Sequence, residues 1–298
     1  LSDYHLHLHP HEPTTEGPPP GKYPPGHIEA YVEAAAARGV TELGFTEHLY
    51  RCVESEGPLG RFWEAEPHPA LADHSSAFVT ADRNLSLESY VDAVTTARDR
   101  GLPVRLGLEV DFFPETIGAV VELLEPYPWD FLIGSVHWIG GWSIDSSTSL
   151  FGWEIKGLEW TWSAYFDLLV ELAASGAVDV LAHADLLKKY GMRLPFEPTE
   201  RYDEVVRTAA SHGVAVEVSS QGLRKPAAEV YPSPEFLRRF HAAGVPITLA
   251  SDAHVPAEAA DGHDEVVAAA RAAGYTTHLR FDRRAPVPTP LPNPRTEG

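Results

Sequence analysis

The chain has 298 residues, 44% hydrophobic and 22% charged, which suits one large α/β domain of barrel size. It has no apolar run long enough to cross a bilayer, and its formal charge of −20 disfavours nucleic-acid polymers, whose backbone needs a basic stripe. The single cysteine, Cys52, excludes an intramolecular disulfide and any CxxC site, and without a basic-then-apolar leader the expectation is a cytoplasmic protein.

In chain order, the opening SDYHLH places His5 and His7 on alternate positions, with His9 and His11 continuing the pattern. On a strand, residues i and i+2 face one side, so His5 and His7 aim at one point, as a metal ion requires. A Pro/Gly-rich loop follows, HPHEPTTEGPPPGKYPPG, and then the helical segment HIEAYVEAAAARG, closed by Gly39. The second apolar run, VTELGFTEH, delivers Glu47 and His48. It is followed by another long loop, LYRCVESEGPLGRFWEAEPHPALADHS. SLESYVDAVTTARDRG reads as a helix, with Ser86 as N-cap and Gly101 as terminator.

Five further apolar runs follow: LPVRLGLEVD, WDFLIGSVH, AVDVLAHAD, GVAVEVSS and VPITLASDAH. They end in Glu109 and Asp111, His137, His183 and Asp185, Glu217, and Asp252 with His254. Each is short, rich in β-branched residues and bounded by Gly or Pro, the pattern of a strand buried on both faces. Helical segments TWSAYFDLLVELAASG, TERYDEVVRTAASHG and SPEFLRRFHAAG lie between the later runs. Strands alternating with helices predict a mainly parallel sheet, and seven units in series suggest a closed or nearly closed barrel. The expected organisation is one domain over residues 1–285 and a Pro-rich tail, extended or disordered, over residues 286–298.

Five of the seven runs end in histidine, and the long loops follow strand ends, where barrel enzymes build their sites. Singly, each residue has an ordinary explanation: Glu109 could pair with Arg105, and Asp252 could cap a helix. Jointly they predict a multi-metal site at the C-terminal ends of the strands.

DYHLH, TEH, GLEVD, GSVH, LAHAD and SDAH, in this order, resemble the polymerase and histidinol phosphatase (PHP) family of metal-dependent phosphoesterases. PPGHIEAY, IGSVHWIG, HADLLKKYG and GLRKPAAEVYP are similar to its histidinol-phosphate phosphatase branch. The resemblance runs from Asp3 to about Phe281 and implies a distorted (β/α)7 barrel holding two to three divalent ions. By this resemblance, His5, His7, Glu109 and Asp252 hold a first ion, and Glu109 bridges to a second held by His137 and His183. His48 and His254 hold a third, with one histidine from the first loop. The family places that histidine about six residues after the HxH pair, where this chain has Pro13; His11 is the nearest candidate, with His9 and His27 as alternatives. Imidazole and carboxylate without thiolate suit Zn, Mn or Fe, with occupancy falling at acid pH.

The implied reaction is hydrolysis of a small phosphate monoester, L-histidinol phosphate above all, by a metal-bridging hydroxide. A nucleotide, a sugar phosphate or a short oligonucleotide is the alternative substrate; a non-catalytic metal-binding scaffold is disfavoured because nearly all ligands are present. Arg224 is the expected phosphate clamp, assisted by Lys188 or Lys189, and Asp252 or His254 the expected acid. Trp138, in a cluster with Trp142, Trp153, Trp160 and Trp162, is expected to wall the substrate pocket. The sequence leaves the oligomeric state open.

Overall fold

In the computed structural model, residues 1–10 and 17–292 are described. Every apolar run expected as a strand forms one. The strands are β1 (Ser2–Leu6), β2 (Glu42–Phe45), β3 (Val104–Leu106), β4 (Glu109–Asp111), β5 (Ile133–Ser135), β6 (Trp138–Ile139) and β7 (Trp142–Ser143). Then come β8 (Val180–Leu181), β9 (Ala215–Ser219), β10 (Ile247–Ala250), β11 (Thr277–Asp282) and β12 (Ala285–Pro290). LPVRLGLEVD supplies both β3 and β4, with Gly107 and Leu108 lying between them outside either strand.

The parallel strands fall into two sheets, ordered β1-β2-β3 and β10-β9-β8-β5-β4, with no closed sheet among the described residues. Only isolated contacts span the seams. At one seam the Glu109 amide donates to the Glu47 carbonyl at 3.0 Å; at the other the Asp252 amide donates to the His5 carbonyl at 2.8 Å and His7 to Ala253 at 2.7 Å. The ladder is broken where strand ends turn to present site residues, and the β1–β2 register shifts between Asp3 and Leu6.

Small residues make room at the centre. A Cβ on Gly44 or Gly107 would lie 2.5 Å from the Phe131 ring, so the core tolerates only hydrogen there. Phe131 packs edge-on to Tyr4 with ring centroids 4.7 Å apart, and Phe281 from β11 stacks on it at 5.8 Å. The C-terminal hairpin thus plugs the N-terminal end of the strand array.

The helices lie outside the sheets. Ser86 Oγ accepts from the Ser89 amide at 3.2 Å and caps the Leu87–Asp99 helix as expected. One expectation fails. The second long loop contains the start of a helix, Pro69–Asp82, because proline at a first helical position favours the helix that it would break elsewhere. The Pro-rich tail is extended through residue 290: β12 pairs antiparallel with β11, Pro288 opposite Leu279, as an edge strand that spares the missing amide hydrogens. Among the described residues no helix is long and apolar enough to cross a membrane.

Candidate metal centre

Parallel strands carry the expected ligands to one end, where they converge. His5 Nε2 and His7 Nε2 lie 3.1 Å apart, with Glu109 Oε2 at 3.4 and 3.6 Å and Asp252 Oδ1 at 3.6 and 3.3 Å respectively. Donor atoms around a tetrahedral ion with bonds near 2.05 Å sit about 3.3 Å apart, so these four fit the edges of one coordination shell. Asp252 Oδ1 is buried without a hydrogen-bond partner, as an atom reserved for a cation would be. The residues present therefore fit a divalent ion.

Glu109 faces two groups. Its Oε1 lies 3.1 Å from His183 Nε2 and 3.3 Å from His137 Nε2, while Oε2 turns toward His5, His7 and His48. Arg105, its alternative partner in sequence, instead reaches Glu42 at 3.2 Å. The ligand atoms of His7, His48 and His254 form a further group lying within 4.8 Å of one another, and the His7 ring stacks on both others at 4.2 Å. Every expected ligand among the described residues is thus in one cluster. His11 lies outside the described residues. Its alternatives are engaged elsewhere: His9 Nδ1 meets Glu47 Oε1 at 3.0 Å and its Nε2 the Lys22 carbonyl at 3.2 Å, while His27 Nε2 donates to the Leu8 carbonyl at 2.8 Å.

Carboxylates behind the imidazoles fix which nitrogen faces the cluster. His5 Nδ1 donates to Glu217 Oε2 at 2.8 Å and His137 Nδ1 to Asp111 Oδ1 at 2.9 Å, turning both Nε2 lone pairs inward. Burial pushes the Glu109 carboxyl up, but the imidazoles of His48, His137 and His5 prevail and hold it well below the usual range. Asp252 behaves alike: burial opposes ionisation, and His5, His7 and His254 restore it. An ionised carboxylate among imidazoles is suited to ligate a cation.

Two site residues carry strained backbone, Asp252 with φ 53° and His183 with φ 24°. Each is pinned. The His183 amide donates to Glu217 Oε1 at 2.8 Å, and Gln221 Nε2 donates to Asp252 Oδ2. Arg224 belongs to the same support: its guanidinium donates to the Ser251 carbonyl at 2.7 Å and the Asp252 carbonyl at 3.3 Å, with Glu258 and Asp261 nearby. It does not line the cavity, so the expected phosphate clamp holds the turn that bears Asp252.

A cavity of about 810 Å³ opens from His48 and His137, walled by Trp138, Tyr50, Phe78 and Tyr190. Trp138, the expected pocket wall, stands on this cavity. Lys188 does not: it is buried, held by Asp185 and Glu229 at 2.8 Å each, and its neighbours Lys189 and Lys225 face the cavity instead. In a tight turn of 3₁₀ type, adjacent lysines point to different sides, which the sequence alone left open. Of the other tryptophans, Trp142 and Trp153 pack the loop at a ring separation of 5.5 Å, Trp162 Nε1 donates to the Met192 carbonyl, and Trp160 is exposed. Glu217, Asp111, Gln221 and Lys225 had no role in the motif reading. Glu217 and Asp111 were signalled by their place at strand ends, whereas Gln221 and Lys225 carried no such mark.

Residues 5–221 match the PHP domain. The chain belongs to the PHP domain family. It is 32% identical to a probable histidinol-phosphatase of Deinococcus radiodurans, over 87% of this chain and 88% of that one. It is 23% identical to a histidinol-phosphatase of Lactococcus lactis, over 85% and 84% of the two chains. The structure of a Lactococcus lactis histidinol phosphate phosphatase, complexed with zinc, L-histidinol and phosphate, superposes with a TM-score of 0.71 at 21% identity, covering 96% of this PHP chain and 98% of the other.

Proposed function

We propose that this PHP protein is a cytoplasmic, metal-dependent phosphomonoesterase that converts L-histidinol phosphate to L-histidinol and phosphate. The observation that carries the reading is the convergence of His5, His7, Glu109 and Asp252 on one coordination shell, next to His48 and His137, which line a cavity. Relatives named histidinol-phosphatases, matched over most of their length, support the substrate. We read the paired sheets and their seam contacts as a distorted (β/α)7 barrel.

In this proposal His5, His7, Glu109 and Asp252 hold one divalent ion, Glu109, His137 and His183 a second, and His48 and His254 share a third with one imidazole of the first loop. Zn, Mn and Fe suit the donor set equally. Bound there, such ions lower the pKa of water and offset charge on phosphoryl oxygens. The chain's own residues do the rest. Glu217 and Asp111 keep the His5 and His137 rings in the tautomer with Nε2 free. Lys189 and Lys225 give the cavity wall the positive charge that attracts a phosphate dianion in an acidic protein. Trp138, Tyr50 and Tyr190 offer flat faces to an aromatic leaving group and keep bulk water from the phosphate.

Phosphate release from L-histidinol phosphate, measured beside nucleotide and sugar phosphates after reconstitution with Zn²⁺, Mn²⁺ or Fe²⁺, tests the substrate. The expected result is a kcat/KM of about 10⁴ M⁻¹s⁻¹ or more for histidinol phosphate, well above the others. Equal or faster turnover of a nucleotide or sugar phosphate overturns it.

A further inference from the structure

The segment from His48 to Arg51 makes contacts that the proposed reaction does not require. The Tyr50 amide donates to Asp111 Oδ2 at 2.9 Å, and the other oxygen of Asp111 holds His137. The Tyr50 hydroxyl donates to Asp82 Oδ2 at 2.7 Å, and Arg51 Nε lies 3.2 Å from the same oxygen. The two terminal nitrogens of Arg51 donate to the carbonyls of His9 at 3.1 Å and Pro10 at 3.2 Å. Arg51 is 1% exposed and Asp82 9%. Burying an ion pair brings little net stability, because desolvation offsets the attraction. What it does bring is a fixed geometry, and a guanidinium fork with both terminal nitrogens hydrogen-bonded and an ion-paired carboxylate beside it is well suited to that.

This geometry lies at one end of the cluster. His48 and His137 line the cavity, and both are tied to the segment: His48 begins it, and His137 is held through Asp111 and the Tyr50 amide. The opposite end, with His5, His183 and Asp252, has its own supports in Glu217 and Gln221. We propose that Arg51 and Asp82 are positioning residues that hold the cavity-facing half of the metal centre, locking the loop after β2 to the carbonyls after β1 and to the end of the Pro69–Asp82 helix. The inference rests on the metal-centre reading given above.

The test is the metal content of the full chain, reloaded with Mn²⁺ or Zn²⁺ and dialysed against graded EDTA, for wild type, Asp82→Asn, Arg51→Lys and the double variant. Each single variant is expected to weaken retention of the most loosely held ion by about 10- to 100-fold, as for other outer-shell partners, while the remaining ions and the circular dichroism are unchanged. The double variant should be no worse than the weaker single one, because the pair acts as a unit. A role in folding alone would lower the melting temperature without this selective, non-additive loss. Where Asp82→Asn does not fold, Arg51→Lys carries the same test, since lysine keeps the charge but cannot reach both carbonyls from a position beside Asp82. Variants that retain every ion as wild type does, or whose losses add, overturn the inference alone. A wild-type chain that holds no ion overturns the metal reading with it.

Discussion

The two ends of the strand array are built from the same residue classes to opposite effect. At the N-terminal end, Tyr4 donates to Glu42 at 2.6 Å, Arg280 and Arg105 reach Glu42 at 2.9 and 3.2 Å, and Phe281 fills the space below Phe131. These charges meet opposite charges, and the rings close the core. At the C-terminal end, imidazoles and carboxylates crowd within 3.1–3.6 Å, Asp252 Oδ1 has no hydrogen-bond partner, and two residues carry positive φ. One end pairs its charges around a packed core and serves stability; the other gathers donor atoms suited to a cation and serves chemistry. Substitutions at the two ends should therefore separate activity from stability.

The largest effect is expected from Glu109→Gln, which removes the carboxylate facing both ligand groups. Its loss of kcat/KM should exceed the ~100-fold typical of outer-shell partners, with lowered metal content and a retained fold. Metal analysis beside a phosphate-release assay checks this, and full activity in the Glu109→Gln variant would remove the bridging role.

At the opposite end, Phe281→Ala should cost about 3–5 kcal/mol of stability, read from urea midpoints, while kcat stays unchanged wherever the variant is folded. A change in kcat with little change in stability would break the contrast between the ends.

A pH effect also belongs to the lower end. His278, 1% exposed and 3.2 Å from Ser2 Oγ, is pushed by burial from 6.5 down to about 4. The unfolded chain therefore takes up this proton first. The stability that neutral His278 allows is fully present above pH ~6.5 and lost as pH falls toward ~4, by up to about 3 kcal/mol. The difference in unfolding free energy between wild type and His278→Asn should shift between pH 7.5 and 4.5; a constant difference contradicts it.

Smaller effects sharpen the upper end. Glu217→Gln should cost about 10- to 100-fold in metal affinity, since it frees the His5 ring and the His183 amide together. Lys189→Gln should raise KM for a phosphate ester by roughly tenfold with kcat less affected, the pattern of lost uniform binding. A fall in kcat alone would give Lys189 a place in the transition state instead.

How much of this the sequence disclosed differs between the ends in the same way. The ligands were legible because strand ends in parallel sheets share one destination, so His5, Glu109, His183 and Asp252 could be gathered without coordinates. The plug was not, because prolines after residue 285 mimic a disordered tail, and an edge strand that needs few amide hydrogens carries no period-2 apolar signal. The number of strands is visible in the sequence, whereas the breaks in the ladder between β3 and β4 and at the site depend on local backbone geometry that it does not display. Lys188 and Arg224 were misplaced for a related reason. Which side of a short turn a long cation takes is decided by partners distant in sequence, such as the Val230 carbonyl for Lys188 and the Ser251 carbonyl for Arg224.

The most direct test of the central claim is a titration of chelator-stripped, folded protein with divalent metal, following bound equivalents and phosphate release from L-histidinol phosphate together. The account predicts an inactive metal-free protein whose activity rises with occupancy of the cluster. Undiminished hydrolysis by the metal-free chain would contradict it.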